Sequence, residues 1–348
     1  MIFKSQRHTS YKLAPQLKFY DSMNSSWRPF YMFSHFENLR SDYCNTDING
    51  LRFNFFKDNL KSIFDEVDER ETGVIVGNST AFGEGTSSDS KTISSLLTKY
   101  TKRKYYNLCV RGFNGQQEII LFLNMFKNFK NLKEIIVITG INDAILPEYI
   151  KSTSSKIVPI YGQDQFERSM SDINMGWKIR IIKKILAPFF PHRAWNKMNK
   201  LNLISELSKK NQIKDYAKNY DEIIFDSISC NLSIWKMIAE SLKINIKIFL
   251  QPICEWTKKQ LTPEEKTIFN DEIKNKKIKK IFEIANLEKY ELMNNIFKDL
   301  CNRNSMFFFD LNSNIEMIEN RNKWLFNGNF HLSDLGSETF TSEIIKKL

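Results

Sequence analysis

The stretch Gly73-Val74-Ile75-Val76-Gly77-Asn78-Ser79-Thr80-Ala81-Phe82-Gly83-Glu84-Gly85 decides how this chain is read. A short apolar run bounded by glycines predicts a strand buried on both faces. It leads into a serine and then into a glycine-rich loop. Three roles are open to Ser79 there: a nucleophile lifted to the end of a strand, the N-cap of a following segment, or part of a phosphate cradle. The cradle is disfavoured, because the loop has neither the Gly-Lys-Ser/Thr ending of a P-loop nor a G-x-G-x-x-G spacing.

Outward from this stretch, strands and helices alternate. Ser90–Thr101 has helical spacing at Ile93, Leu96 and Leu97, Tyr105–Val110 is a second strand, Gln116–Phe129 a strongly apolar helix, and Glu134–Gly140 a third strand. A β-α-β-α-β run implies right-handed crossovers and a parallel sheet with helices on both faces. The expected fold is therefore α/β: a three-layer α/β/α sandwich, flavodoxin-like, with a mostly parallel central sheet. Further on, the alternation resumes with a helix at Cys230–Lys243, a strand at Ile244–Pro252, a helix at about Leu287–Asn302, a strand at Ser305–Leu311 and a final helix after His331–Gly336. Residues 1–70, aromatic-rich and irregular apart from an Asn49-Gly50 turn signal, are expected to be an N-terminal extension packing on a core of residues 71–348. Residues 147–221 break the rhythm and are expected to be a helical insertion over the sheet edge. Within it, Trp177–Trp195 reads as a basic amphipathic helix closed by Pro-Phe-Phe-Pro. Its candidate roles are packing on its own domain, a lid, a partner-binding face or a peripheral membrane contact.

Composition narrows the function classes. The chain has 348 residues, 42% of them hydrophobic and 26% charged, as in a globular protein with a sizeable core. It has no apolar run of about 18 residues, and its start lacks the apolar core of a secretory signal, so a cytoplasmic protein is expected. The net charge of +11 comes from lysines scattered along the chain, which argues against a nucleic-acid partner. Cys44, Cys109, Cys230, Cys254 and Cys301 have no metal-ligand spacing and their odd number argues against a disulfide framework. His8, His35 and His192 are far apart in sequence, and neither a metal nor another cofactor is expected.

The strand ends carry the chemistry, since open α/β sheets bind ligands at the carboxyl edge. The first strand delivers Ser79, the second Gly112 and the third Asn142, while His331 precedes the last helix. A serine needs a base to act as a nucleophile, and the oxyanion it generates needs donors. The Ser79 N–H, the Gly112 N–H and the Asn142 side-chain amide are candidate donors. Asn142-Asp143 also reads as a plain turn, with Asp143 capping the helix that follows. Arg52 and Arg111 are candidate ligands for an anionic or sugar substrate, against the default of solvated surface arginines.

In order and local context, Ser79, Gly112, Asn142 and His331 resemble the SGNH (GDSL-like) hydrolase superfamily. The first block, "GNSTAFGEG", looks like the Gly-x-Ser-Thr-x-Phe-Gly variant of some bacterial members. "NLCVRGFNGQQE" (Asn107–Glu118), "TGIND" (Thr139–Asp143), "FLQP" (Phe249–Pro252) and "HLSDLG" (His331–Gly336) fit the same variant. The resemblance covers about Gly73 to the end, apart from the insertion. It implies that Ser79 attacks an acyl ester, that His331 is the general base, and that an aspartate three residues before the histidine orients the imidazole. Here Gly328 stands at that position. A carbonyl near Gly328, the side chains of Asn327 or Asn329, or Asp310 are candidate replacements, and a neutral acceptor would make a slow enzyme. The resemblance also suggests an acyl, perhaps acetyl, ester of a carbohydrate as substrate. Transfer of the acyl group to a sugar hydroxyl is the alternative reaction, and a binding protein with a degenerate site is the alternative class.

Overall fold

The computed structural model describes residues 8–56, 59–65, 70–150, 158–163, 166, 219–313 and 320–348. Before the core come α1 (His8–Leu13), α2 (Gln16–Ser22) and two antiparallel hairpins, β1 (Ser25–Arg28) with β2 (Met32–His35) and β3 (Asn54–Phe56) with β4 (Asn59–Lys61). The Asn49-Gly50 signal is a turn: Gly50 has φ +77° and donates its N–H to Asp47 O.

The core alternates as the sequence indicates. β5 (Thr72–Gly77), α3 (Ser79–Phe82), α4 (Ile93–Tyr100), β6 (Lys104–Cys109), α5 (Gly115–Met125), β7 (Leu132–Thr139) and α6 (Ile141–Ile150) lead to α7 (Tyr220–Leu242) and β8 (Asn245–Leu250). Then follow α8 (Pro263–Glu272), α9 (Lys276–Ile284), α10 (Leu287–Arg303), β9 (Phe307–Asp310) and α11 (Asp334–Ile345). The sheet order is β6-β5-β7-β8-β9 and every pairing is parallel. Because successive strand residues face opposite ways, β5 feeds two cores. Val74 and Val76 pack with Ile119, Phe122, Trp235 and Phe297 on one side; Ile75 packs with Leu97, Phe326 and Phe340 on the other. The three-layer α/β/α sandwich follows from that alternation.

Three differences from expectation have physical causes. α7 starts at Tyr220 rather than Cys230, its first turn carrying Asp221 and Glu222 where the helix dipole favours acids. α6 runs through Pro147 to Ile150, so the core continues past the point where the insertion was expected to begin. α8 and α9 were not anticipated, although Thr262, Pro263 and Glu265 spell a capping box with proline at the first helical position. Of the expected insertion, Trp177–Trp195 lies outside the described residues, as does His192. Among the described residues no helix is long and apolar enough to cross a membrane.

Candidate active site

Ser79 sits at the carboxyl end of β5, one of the inner strands of the sheet. Gly77 must lack a side chain, because a Cβ there would lie 2.3 Å from Ile138 O on the neighbouring strand. Asn78 is extended and its side chain accepts from Thr80 N, so Asn78, not Ser79, is the N-cap. Ser79 is thus the first residue of a single helical turn, closed by Gly83 in the left-handed region at φ +88°.

His331 arrives from a turn between α10 and α11. Asn327 N donates to His331 O at 2.8 Å, and Phe326 and Leu332 form an antiparallel bridge across the turn. The imidazole Nε2 lies 3.1 Å from Ser79 Oγ, within hydrogen-bond range of a nucleophile and its base. Its side chain is 21% exposed, so substrate and water can reach it. The two segments are tied together: Thr80 Oγ1 donates to Phe330 O (2.7 Å), and Asn327 Nδ2 donates to Gly85 O (2.8 Å). Gly85, at φ +97°, has no room for a Cβ, which would meet Leu332 O at 2.9 Å. Gln251, just past β8, joins the strand ends: its Nε2 donates to Thr80 Oγ1, and its Oε1 accepts from Asn78 Nδ2 and Ile141 N.

A carboxylate also faces the imidazole. Glu84 Oε2 lies 3.4 Å from His331 Nε2, while the Arg111 guanidinium grips both Glu84 oxygens at 2.7 and 2.8 Å. Burial alone would raise the Glu84 pKa, but the charges of Arg111 and His331 outweigh it and hold the carboxyl at about 2. Arg111 N donates to His35 Nε2 (3.3 Å), which fixes the proton on Nδ1, facing Gly50 O at 3.2 Å. Burial, then Arg111, pushes the His35 pKa down to about 3, so that ring is neutral at physiological pH. Glu84 is therefore an anion beside the nitrogen that must accept the serine proton, and it favours the imidazolium. Glu84→Gln is expected to move the acid limb of a kcat/KM–pH profile to lower pH. A limb that stays in place would mean that His331 does not feel this charge.

Gly112, at φ +82°, and Asn142 lie at the ends of the neighbouring strands. Among the described residues, neither the Ser79 N–H nor the Gly112 N–H donates to a protein acceptor. Asn142 Nδ2 donates to Phe113 O at 2.6 Å, which uses one of its two hydrogens and ties α6 to the Gly112 loop. Asp143 serves a different helix from the one expected: both its oxygens accept from Gly115 N (3.1 and 3.2 Å) at the start of α5. Burial pushes the Asp143 pKa up to about 7.

The other candidates are placed elsewhere. Arg52 is buried and structural rather than a substrate ligand: its Nε meets Asp89 at 2.7 Å, and it also donates to the carbonyls of Tyr43, Phe82 and Gly83. Its removal would leave Asp89 buried without its cation. Arg52→Ala is expected to cost about 3–5 kcal/mol, read from a denaturant midpoint at constant slope. A loss within about 0.5 kcal/mol would indicate a surface charge. Arg111 is committed to Glu84, one residue from Gly112. Among the groups considered for orienting His331, Asn327 donates to Gly85 O, and Asn329 Oδ1 accepts from Glu255 N at 3.0 Å. Asp310 accepts from Tyr290 Oη (2.6 Å) and from Asn312. None of these hydrogen bonds is to the imidazole. Among the described residues no cluster of His, Cys, Asp and Glu could hold a metal ion. Glu84 and Gln251 lie within motif blocks, but nothing in the sequence assigned them a partner.

No protein-family model matches the chain, and neither does any curated protein sequence. Solved structures do. An extracellular lipase from Streptomyces rimosus is 11% identical at a TM-score of 0.40, over 80% of this chain and 99% of that one. An acetyl xylan esterase is 11% identical at 0.37, over 80% of this chain and 99% of its own. A GDSL-like lipase from Bacteroides thetaiotaomicron is 14% identical at 0.37, over 81% and 92%. The motif blocks resemble those of the SGNH, or GDSL-like, hydrolases, and these two lipases and one esterase are among the solved structures to which the chain is similar.

Proposed function

We propose that the chain is a serine ester hydrolase acting on an acyl ester of a carbohydrate, with Ser79 as nucleophile and His331 as general base. One observation carries this reading: the 3.1 Å approach of His331 Nε2 to Ser79 Oγ at the carboxyl end of a parallel strand. Ser79 Oγ attacks the ester carbonyl carbon as its proton passes to Nε2. The oxyanion that forms is held by the N–H groups of Ser79 and Gly112 and by the free hydrogen of the Asn142 amide. Collapse expels the alcohol, which takes the proton from Nε2, and leaves an acyl-Ser79. Water, deprotonated by His331, then releases the acid. The carbohydrate, and acetyl as the acyl group, are suggested by the motif resemblance; a sugar hydroxyl in place of water would make the protein an acyltransferase.

Hydrolysis of a small acetyl ester, followed with and without an added sugar acceptor, tests this. Turnover that disappears in Ser79→Ala is expected, and turnover that survives it excludes Ser79 as nucleophile. Acetylated sugar as the main product would assign transfer rather than hydrolysis.

A further inference from the structure

The turn that carries His331 is gripped from outside by α8. Glu265 Oε1 accepts from Leu325 N (2.8 Å) and Phe326 N (3.0 Å), and Glu272 Oε2 accepts from Asn329 N (3.1 Å). Glu265 and Glu272 are two helical turns apart and so share one face of α8. Both are buried. The lost hydration of a buried carboxylate is offset only by hydrogen-bond and charge partners.

The space this carboxylate fills is informative. A Cβ built on Gly328 would lie 2.3 Å from Glu272 Oε1 and 2.5 Å from Oε2. Glu272 therefore occupies the volume into which a side chain at residue 328 would project, against the turn closed by Asn327 N and His331 O. The imidazole directs Nε2 outward, to Ser79 and Glu84. Its Nδ1, bonded to Cγ, is the ring nitrogen nearer its own main chain. Asn329 Oδ1 and Asp310 accept from other donors. Asn327 donates through Nδ2 to Gly85 O, while among the described residues its buried Oδ1 accepts no hydrogen bond, from the imidazole or elsewhere.

We propose that Glu272, delivered by α8 into the space left by Gly328, is the carboxylate that positions His331 by accepting the hydrogen of Nδ1. Such a contact fixes the tautomer with the lone pair on Nε2 and stabilises the imidazolium as Ser79 loses its proton. It acts through His331 and does not touch substrate. The inference rests on the reading of Ser79 and His331 as nucleophile and base, and it replaces the neutral acceptor with a charged one.

The test uses the full chain and the variants Glu272→Gln, Glu272→Asp and Glu272→Ala. Glutamine keeps an acceptor for Asn329 N and the shape of the side chain, and melting curves establish that it folds. Two readouts are taken: the pH profile of acetyl-ester hydrolysis, and the low-field proton resonance of the imidazole N–H, assigned by its loss in His331→Ala. Glu272→Gln is expected to lower kcat by about 10²–10⁴-fold with KM little changed. Its acid limb should move to lower pH and the low-field resonance should disappear; Glu272→Asp should recover part of each. A folded Glu272→Gln with wild-type kcat, pH profile and resonance would overturn the proposal. Loss of activity with the resonance unchanged would also overturn it, because Glu272 would then only brace the turn. A wild-type protein inert toward esters would overturn the Ser79 reading instead, while the resonance would still report on Glu272.

Discussion

His331→Ala is expected to lower kcat/KM for ester hydrolysis by about 10²–10⁴-fold or more. The imidazole is the group within 3.1 Å of Ser79 Oγ that can accept its proton, and Glu84 cannot substitute for it. The Glu84 carboxyl is held at about 2 by Arg111 and His331 despite its burial, and an acid that weakly basic takes little from a serine at neutral pH. Asp334, three residues beyond the histidine, offers a contrast. It accepts from Ser87 N and Oγ and so braces the glycine-rich loop. Asp334→Asn should therefore leave kcat within a few fold. Steady-state kinetics on both variants checks this, and equal losses would mean that the base is misassigned.

Gly328→Ala is expected to impair stability and activity together. At φ +114° any side chain is strained by about 1–3 kcal/mol. The added methyl would also meet the Glu272 carboxylate at 2.3 Å, and neither the buried glutamate nor the turn can yield cheaply. Displacing Glu272 frees Asn329 N and loosens the turn that sets the height of His331 above Ser79. A melting temperature lowered by several degrees, with kcat down at least about tenfold, is the expected pair of results. Wild-type values for both would show that the turn tolerates a Cβ and is less tightly packed than its contacts indicate. For the same reason Gly328→Asp should not supply a working carboxylate from residue 328 while Glu272 remains in place.

Much of this arrangement is written locally in the chain. The buried apolar runs at Val74–Val76 and Ile135–Ile138 spell parallel strands, and those strands place Ser79 and Asn142 on one edge whatever the loops do. His331 is legible only because it opens the block His331–Gly336, whose resemblance to a known motif gives an otherwise unremarked histidine a role. Partners made by tertiary contact are not. Arg52 in "NGLRF" looks like a loop arginine, and only the packing of the N-terminal segment over Asp89 buries it. The pairing of Arg111 with Glu84 joins two loops across the sheet edge, and no spacing announces it. Glu272 lies on a helix outside the strand–helix alternation. Its one trace in the sequence is Gly328, a residue that reads as an absence until the carboxylate filling its side-chain space is seen.

The central claim is that Ser79 is a nucleophile activated by His331. Treating the folded protein with a fluorophosphonate and mapping the modified peptide by mass spectrometry tests it most directly. The account predicts one adduct on Ser79, formed faster as pH rises toward neutrality and abolished in Ser79→Ala. No adduct at any pH near neutrality, or an adduct that persists in Ser79→Ala, would contradict it.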